Sequence, residues 1–341
     1  MITPENELHA PAKSNNSSSS LIAQYFQRLH FTADDIEAAG PTFETLKKIC
    51  ANHLEFIPFE NLGQHGARGG KQVLDKHLIR EKVLERNRGG FCMELNNLLA
   101  ELLLDIGFKV RRIPAFVYIN EDIGYGAMEV PTHVVLLVTC ITAADDEGGD
   151  CNCDYFVDVG FGEPCIEPLL YEIGLEHKTS DGMSSRLIFM DDTVSAGGIN
   201  TCNDDLVVLE WWKHGQDVWS PRLCWKIDDA KPGDGLGQDC APYMSDFQCG
   251  LSEVQMDQSI FEKKTIICKL TKTKKVSLAG KRLKITSPRF GTDCKVEIVE
   301  LEDTQSVRNV LVKEFGIGLE ETIGLDLGNS NSAPPEIWSQ F

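Results

Sequence analysis

Long hydrophobic runs are missing from this chain of 341 residues, and their absence narrows where the protein can reside. The longest purely aliphatic stretch, residues 134–138, is far shorter than the ~20 residues that cross a bilayer as a helix. The opening residues, MITPENELHAPAKSNNSSSS, lack the apolar middle of a secretion signal. We therefore expect a cytoplasmic protein that does not contact a membrane.

An excess of positive charge is also missing. The chain has 33 Lys and Arg residues against 52 Asp and Glu residues, so its net charge is −19. A general nucleic-acid binder needs basic surface to displace phosphate counterions, and this composition argues against one. A glycine-rich nucleotide loop is absent as well, because SAGGIN lacks the required glycine spacing and context.

One segment reverses this acidity, because residues 263–289 contain ten Lys or Arg residues and no acid. Such a run is typical of the solvated face of a strand meander. It would also suit a docking surface for a phosphorylated cofactor or substrate. The sequence leaves both interpretations open.

Apolar residues make up 42% of the chain, which is ample for a hydrophobic core. Its twelve cysteines would form a disulfide framework in a secreted protein, but in a reducing cytosol most are small buried hydrophobic residues. A cysteine with another role therefore needs a local reason.

Hydrophobic periodicity divides the chain into blocks. Residues 1–20 are polar and predict a disordered segment. Residues 21–108 have apolar side chains at helical spacing, ending in a helix that starts near Cys92 and stops at Gly107. Short apolar runs separated by turn residues follow over 109–228 and predict a small antiparallel barrel or sandwich.

The last block, residues 229–341, starts with a Gly- and Pro-rich connection and ends in a polar tail. Its strands are predicted near 265–271, 275–286 and 294–301, and its helix over 304–315. Helices and antiparallel strands in separate blocks indicate the α+β class, in three domains.

Cys92 stands between a glycine pair and the predicted helix in NRGGFCMELNN. At a helix start, unpaired N–H groups and the helix dipole favour the thiolate, which is the nucleophilic form. Gly89 and Gly90 would let another backbone or a substrate approach closely. An inert buried cysteine explains the same residue with fewer assumptions. A catalytic role for Cys92 therefore needs a second residue in support, a base that could activate the thiol.

His133 is the first candidate for that base among the eight histidines. In EVPTHVVLLVT it begins an aliphatic strand, which places its ring on a rigid element at the edge of the core. A hydrogen-bonded core histidine is the alternative. His214, in the predicted turn WWKHGQD, is the second candidate.

Asp158 is the candidate orienting acid, because it interrupts the otherwise apolar strand predicted for DYFVDVGFG. A carboxylate there needs a hydrogen-bond or charge partner, and an imidazole N–H would serve. Capping of a neighbouring turn is the alternative. Cys92, His133 and Asp158 together have the residue types of an activated-thiol triad.

Three motifs carry a resemblance to a known family. RGGFCMELN resembles the Arg-Gly-Gly-x-Cys-x-Glu-x-Asn signature of the arylamine N-acetyltransferases. HLEFIPFENL resembles the IPFENL segment of that family, and the VDVGFG motif follows in the family's order. The likeness spans roughly residues 22–165 and becomes loose beyond 230.

The resemblance implies roles for residues at matching positions. Cys92 would carry the acyl group, His133 would act as the base and Asp158 would orient it. Other residues would support the site or bind substrate: Glu60 and Arg88 through a salt bridge that holds the nucleophile's loop, Asn96 through hydrogen bonds, and Phe161 and Gly162 at the acceptor pocket. For Phe161 alone, ordinary core packing is an equal alternative.

The family's fold and reaction complete these expectations. Its helical bundle, antiparallel β-barrel and α/β lid surround a cysteine-protease-like catalytic core and would correspond to 21–108, 109–228 and 229–341. Its ping-pong reaction passes an acyl group from acyl-CoA, a co-substrate, through a thioester to an arylamine, hydrazine or arylhydroxylamine. The resemblance further implies acetyl, malonyl or propionyl donors, xenobiotic detoxification, no metal or tightly bound cofactor, and a monomer or weak dimer.

Other functions use similar residues. A Cys-His-Asp amidase or transglutaminase-like enzyme would attack amides instead, although its local signature differs from GGFCMEL. A zinc site could be drawn from Cys151, Cys153, Cys165 and His177, but Cys-x-Cys with wide gaps matches the usual ligand spacing poorly. An inactive scaffold would have lost a triad residue, and all three are present.

Overall fold

The structure, a computed structural model, describes residues 17–121, 123–125, 128–142, 151–190, 205–213, 217–230, 244–256, 259–289 and 293–327. The α-helices in these ranges are Ser17–Arg28 (α1), Ala33–Glu37 (α2), Phe43–Phe56 (α3), Lys76–Arg80 (α4), Cys92–Ile106 (α5), Ile227–Ala230 (α6), Gln248–Val254 (α7), Ile260–Lys263 (α8) and Thr304–Phe315 (α9). The strands are Phe59–Glu60 (β1), Lys109–Val117 (β2), His133–Thr142 (β3), Cys151–Val157 (β4), Leu169–Leu170 (β5), Glu176–Lys178 (β6), Ser184–Phe189 (β7), Leu206–Lys213 (β8), Val218–Lys226 (β9), Ile266–Leu270 (β10), Lys275–Ala279 (β11), Arg282–Ser287 (β12) and Lys295–Glu300 (β13).

Helices α1, α3 and α5 pack around one core, which they share with strands β2 and β3. Leu29, Leu46 and Leu99 are fully buried in it, and each such side chain contributes about 1.5–3 kcal/mol relative to an exposed one. Gly107 ends α5 with a φ of 107°, as its sequence position predicts. Helix α1 already begins at Ser17, so it overlaps the end of the segment predicted to be disordered.

The second block forms a curved, nearly closed antiparallel sheet with the strand order β5-β4-β3-β2-β9-β8-β7-β6. Its interior is filled by large apolar side chains, among them Phe156 and Trp225, whose stacked rings have centroids 5.3 Å apart. The prediction of an antiparallel barrel within an α+β fold is therefore confirmed.

The third block is an antiparallel sheet of order β1-β10-β11-β12-β13, covered on one face by α9. Strand β1 comes from the helical block, so this sheet crosses the predicted domain boundary. The prediction of one strand over 275–286 is wrong, because the chain turns at Gly280 between β11 and β12. Gly280 has a φ of 60°, a left-handed conformation that glycine adopts without steric cost.

All three blocks meet around the N-terminus of α5. Phe91 and Met93 of the helical block, Val134 of the barrel and Ile266 of the third sheet form one buried cluster with Cys92. Within the described ranges, none of the helices combines the length and apolar composition needed to span a bilayer.

Candidate active site

Cys92 is the first residue of α5 and is 8% exposed. The N–H of Phe91, the residue before the helix, donates to Oε2 of Glu94 at 2.9 Å. The first N–H groups of a helix have no acceptor within it, so the Cys92 sulfur lies at the positive end of the helix dipole.

The glycine pair before Cys92 is required by close backbone packing. A Cβ at Gly89 would lie 1.8 Å from the carbonyl oxygen of Pro58, and one at Gly90 would lie 2.7 Å from Oε2 of Glu94. The N–H of Gly90 also donates to that Pro58 oxygen at 3.3 Å. The predicted close approach is therefore made by the protein's own backbone and by Glu94.

His133 begins β3 and is almost fully buried, with Nε2 2.8 Å from Oδ2 of Asp158. Burial alone would lower its pKa. The Asp158 carboxylate and the adjacent Cys92 sulfur outweigh that effect, by charge and by hydrogen bonding, and raise the pKa of His133 to about 10. The structure thus brings the three predicted residues together in the order thiol, imidazole, carboxylate.

Asp158 lies just after β4, which ends at Val157, so the prediction that it interrupts the strand is wrong. Leaving the ladder frees the backbone to turn. Oδ1 of Asp158 accepts the N–H of Gly160 and Nδ2 of Asn96, both at 2.8 Å. The carboxylate is therefore fixed on one oxygen by these donors and on the other by His133.

Asn96 connects the helix to Asp158 and to the residues that follow His133 and Asp158 in the chain. Its Nδ2 also donates to the carbonyl oxygen of Val134 at 2.6 Å, and its Oδ1 accepts the N–H of Val159 at 2.9 Å. Each contact is buried, so each group would cost free energy if left without a partner. Asn96 thereby sets the position of β3 and of the turn after β4 relative to α5.

Glu60 and Arg88 form a buried two-pronged ion pair. Nε and Nη2 of Arg88 donate to the two carboxylate oxygens of Glu60, each at 3.0 Å. Burial opposes ionisation of Glu60, but Arg88 and Lys82 hold its pKa below the ordinary value. The pair joins β1 to the loop that leads into Cys92.

Phe161 and Gly162 follow in the same turn. The Phe161 ring meets the His133 ring edge to face at a centroid distance of 5.4 Å. Gly162 has a φ of 85°, which favours glycine. Sequence reasoning missed two residues behind Phe161: Cζ of Arg222 lies 5.2 Å from its ring centroid and 4.2 Å from that of Trp211.

A β-bulge explains why Arg222 faces inward. The register between β8 and β9 shifts at Leu209 and Glu210, so Arg222 and Leu223 are consecutive buried residues. An extra residue in one strand redirects a side chain to the other face of the sheet. In the sequence, the one feature that could have indicated a buried Arg222 was its position directly before the apolar residues of RLCW.

The basic segment 263–289 supplies buried cations to the barrel. Nζ of Lys275 lies 2.6 Å from Glu163, and Nη1 of Arg289 lies 2.6 Å from Asp181, with all four side chains buried. For these two cations neither predicted role, solvated face or phosphate contact, applies. Lys275 attaches the third sheet to the turn that follows Asp158, and Arg289, just after β12, attaches it to the turn between β6 and β7.

The zinc alternative gains no support from the described part of the chain. There, no group of three or more His, Cys, Asp or Glu side chains is placed to hold a metal ion. Cys165 instead contacts Ser185, with Sγ 3.7 Å from Oγ. His214 and residues 143–150 lie outside the described ranges.

Comparisons with known proteins agree with these motifs. The family model described as N-acetyltransferase matches residues 42–202. A Salmonella typhimurium protein named arylamine N-acetyltransferase / N-hydroxyarylamine O-acetyltransferase is 27% identical over 89% of this chain and 90% of its own length. A Gallus gallus arylamine N-acetyltransferase, pineal gland isozyme NAT-3, is 33% identical over 41% of this chain, which spans 43% of that relative.

Among solved structures, Mycobacterium marinum arylamine N-acetyltransferase in complex with CoA matches with a TM-score of 0.66. It is 25% identical, and the match covers 89% of this chain and 98% of that one. The Salmonella relative and the solved structure therefore match along most of the chain, and the family model matches within residues 42–202. In its motifs, its sequence and its fold the chain is similar to the arylamine N-acetyltransferases, and it is an acyltransferase.

Proposed function

We propose that the protein transfers an acyl group from acyl-CoA to the nitrogen of an arylamine, hydrazine or arylhydroxylamine through a thioester on Cys92. The observation that carries the proposal is the buried line of Cys92, His133 and Asp158 at the start of α5. CoA in the Mycobacterium marinum structure and the names of the relatives support the choice of donor and acceptor.

In the first half-reaction the Cys92 thiolate attacks the thioester carbonyl of acyl-CoA. A bond forms between Sγ and the acyl carbon, the bond to the CoA sulfur breaks, and the CoA thiolate takes the proton of the His133 imidazolium. One thioester replaces another, so little thermodynamic cost is involved. N–H groups at the start of α5 are suited to stabilise the oxyanion.

In the second half-reaction the amine nitrogen attacks the Cys92 thioester. Neutral His133 accepts the proton that the nitrogen loses, the amide forms, and Cys92 leaves as a thiolate. Asp158 holds the imidazole in place and stabilises its protonated form, as an orienting carboxylate does in other triads. The Phe161 ring, edge to face with His133, supplies an apolar wall for an aromatic acceptor.

We assign the binding of the CoA phosphates to the surface cations of residues 263–289, leaving out the buried Lys275 and Arg289. Arg282 lies in one cross-strand row with Ala279 and Ile266, and Ile266 packs in the cluster that contains Cys92. This row leads from the nucleophile to a cation on the same sheet face. Arg282→Met should raise the KM for acyl-CoA and leave the KM for the amine unchanged.

The test is to incubate the protein with acetyl-, propionyl- and malonyl-CoA without amine and to follow intact mass, with Cys92→Ser as the control. A hydroxylamine-labile adduct of acyl size, absent from the control, is expected and identifies the preferred donor. Aniline should then remove the adduct and yield the anilide. If no donor leaves an adduct while peptide or glutamine amides are cleaved, the protein is an amidase instead.

A further inference from the structure

Glu321 is a buried acid near the end of the described chain. It lies in the 3-10 turn Leu319–Thr322 after α9, where its neighbour Glu320 is exposed and Glu321 is only 2% exposed. Adjacent residues of one type thus differ completely in environment. A carboxylate so deeply buried requires cationic partners, because desolvating an unpaired charge is costly.

Its partners come from the loop that carries the nucleophile. Nε of Arg86 donates to both oxygens of Glu321, at 3.1 and 3.0 Å, and Nη2 of Arg86 makes a further bond to Oε2. Nη1 of Arg88 lies 3.6 Å from the same carboxylate. The Glu321 carbonyl oxygen also accepts the N–H of Arg68 at 3.3 Å.

Arg88 therefore lies between two buried carboxylates. Glu60 receives Nε and Nη2, and Glu321 lies beside Nη1, so both sides of the guanidinium face an acid. Nη1 also donates to the carbonyl oxygen of Arg68 at 2.9 Å. From Arg88, only Gly89, Gly90 and Phe91 intervene before Cys92.

The basic side chains around this loop each face an acid. Lys82 pairs with Glu94 at 2.6 Å, Arg88 with Glu60, and Arg86 with Glu321, which also lies 3.6 Å from Nη1 of Arg68. Removing the Glu321 carboxylate would leave Arg86 with only the exposed Glu81, 3.9 Å from Nη1, as a counterion. The guanidinium and the loop that carries it would then be free to shift toward Glu81 and water.

We propose that Glu321 is a positioning residue for acyl transfer: by pairing with Arg86 and Arg88 it fixes the loop that sets Cys92 against His133. The proposal rests on the proposed function, in which that contact activates the thiol. It assigns the end of the third block a role in the nucleophile's reactivity.

The test measures the reactivity of the Cys92 thiol and does not require acyl transfer. The rate at which iodoacetamide alkylates Cys92 is followed by mass analysis of the Cys92 peptide, from pH 5 to 10, in the wild type and in Glu321→Gln. The proposal expects slower alkylation at neutral pH and a higher pH midpoint, because a displaced thiolate loses the imidazolium of His133. Acyl-enzyme formation should slow by between about 10- and 100-fold, the scale expected for a misplaced reacting group.

The direction in which the pH midpoint shifts distinguishes a displaced loop from a purely electrostatic effect of the lost charge. Loss of a negative charge without any movement would favour the thiolate and lower the midpoint. A lower or unchanged midpoint in folded Glu321→Gln overturns the proposal. Glu320→Gln is the matched control, since it removes an exposed carboxylate one residue away and should leave rate and midpoint unchanged.

Two further variants cover misfolding and test the pairing itself. If Glu321→Gln does not fold, Glu321→Asp replaces it, because aspartate keeps the charge but withdraws it from Arg86. Glu321→Asp should raise the pH midpoint by a smaller amount. A midpoint that does not rise refutes the proposal. Arg86→Met/Glu321→Gln removes both charges and should recover most of the alkylation rate at neutral pH. A wild type that alkylates normally at Cys92 but forms no acyl-enzyme would refute the proposed function alone.

Discussion

Gly160 lies directly against the backbone of Cys92: a Cβ at position 160 would be 2.4 Å from the Cα of Cys92 and 3.0 Å from its carbonyl oxygen. The turn that carries Asp158 can therefore approach the start of α5 only with glycine at this position. This contact sets the separation between Cys92 and the turn that carries Asp158.

Gly160→Ala should consequently separate the two elements. We expect the free energy of unfolding to fall by about 1–3 kcal/mol, as for other overpacked sites, and acyl-enzyme formation to slow by at least about tenfold. Urea denaturation and intact-mass kinetics measure the two effects. Gly40→Ala is the control, because a Cβ at Gly40 has nothing within 4 Å; equal behaviour of the two variants would contradict the prediction.

Asp158→Asn should impair the chemistry more than the fold. The amide keeps the shape of the carboxylate but cannot stabilise protonated His133, and it cannot accept from all of its present donors without reorienting. We expect the single-turnover rate of acyl-enzyme formation at pH 7 to fall by at least about 100-fold, the usual scale for losing acid–base assistance.

Asp154→Asn serves as the comparison for that variant. Asp154 lies on the preceding strand, pairs with Arg111 at 2.8 Å and accepts from Thr139. Loss of the Asp154 carboxylate should leave the single-turnover rate within about twofold of the wild-type rate, because Asp154 contacts none of the groups proposed to react. A similar fall in both variants would mean that Asp158 acts only through stability.

The raised pKa of His133 predicts a specific dependence of stability on pH. Its pKa is about 10 in the folded protein and 6.5 ordinarily, so the folded state binds the proton more tightly. The stabilisation that the folded state gains by binding this proton more tightly is fully present below pH 6.5. It is lost as the pH rises to about 10. The excess stability of the wild type over His133→Asn should therefore decline across that window.

Urea denaturation of both proteins at pH 6, 8 and 10 measures this decline. Because most other titrating groups are common to the two proteins, their contributions largely cancel in the difference. A difference that stays constant from pH 6 to 10 would show that His133 gains no proton affinity on folding.

The buried pair of Lys275 and Glu163 should show strong energetic coupling. Either Lys275→Met or Glu163→Gln leaves one buried charge without its partner, which costs about 3–5 kcal/mol, whereas the double variant removes both charges. The double variant should therefore be less destabilised than the sum of the single variants. A double-mutant cycle of urea denaturation measures the coupling.

Arg282 and Glu300 provide an exposed pair for comparison on the same sheet. Their side chains are 43% and 69% exposed and lie 3.4 Å apart. Solvent screening should limit their coupling to about 1 kcal/mol or less. Equal coupling in the two cycles would contradict the role assigned to burial at Lys275.

Local patterns in the sequence were sufficient for much of the fold and for the candidate triad. The apolar repeat after Cys92 and the stop at Gly107 determined α5, because helix periodicity and capping act within a few residues. His133 and Asp158 could be selected because each is a polar residue beside an aliphatic strand. The motifs around them resemble those of the arylamine N-acetyltransferases, and the comparisons agree with that resemblance.

Contacts between distant segments were decided by the tertiary structure alone. Nothing nearby in the sequence distinguishes Glu321 from Glu320, or Lys275 from Lys274, yet one member of each pair is buried in an ion pair. Gly160 likewise looks like an ordinary turn glycine until the backbone of Cys92 is placed against it. Local propensity determines elements through neighbours in the chain, whereas burial, steric contact and charge pairing depend on which elements meet in space.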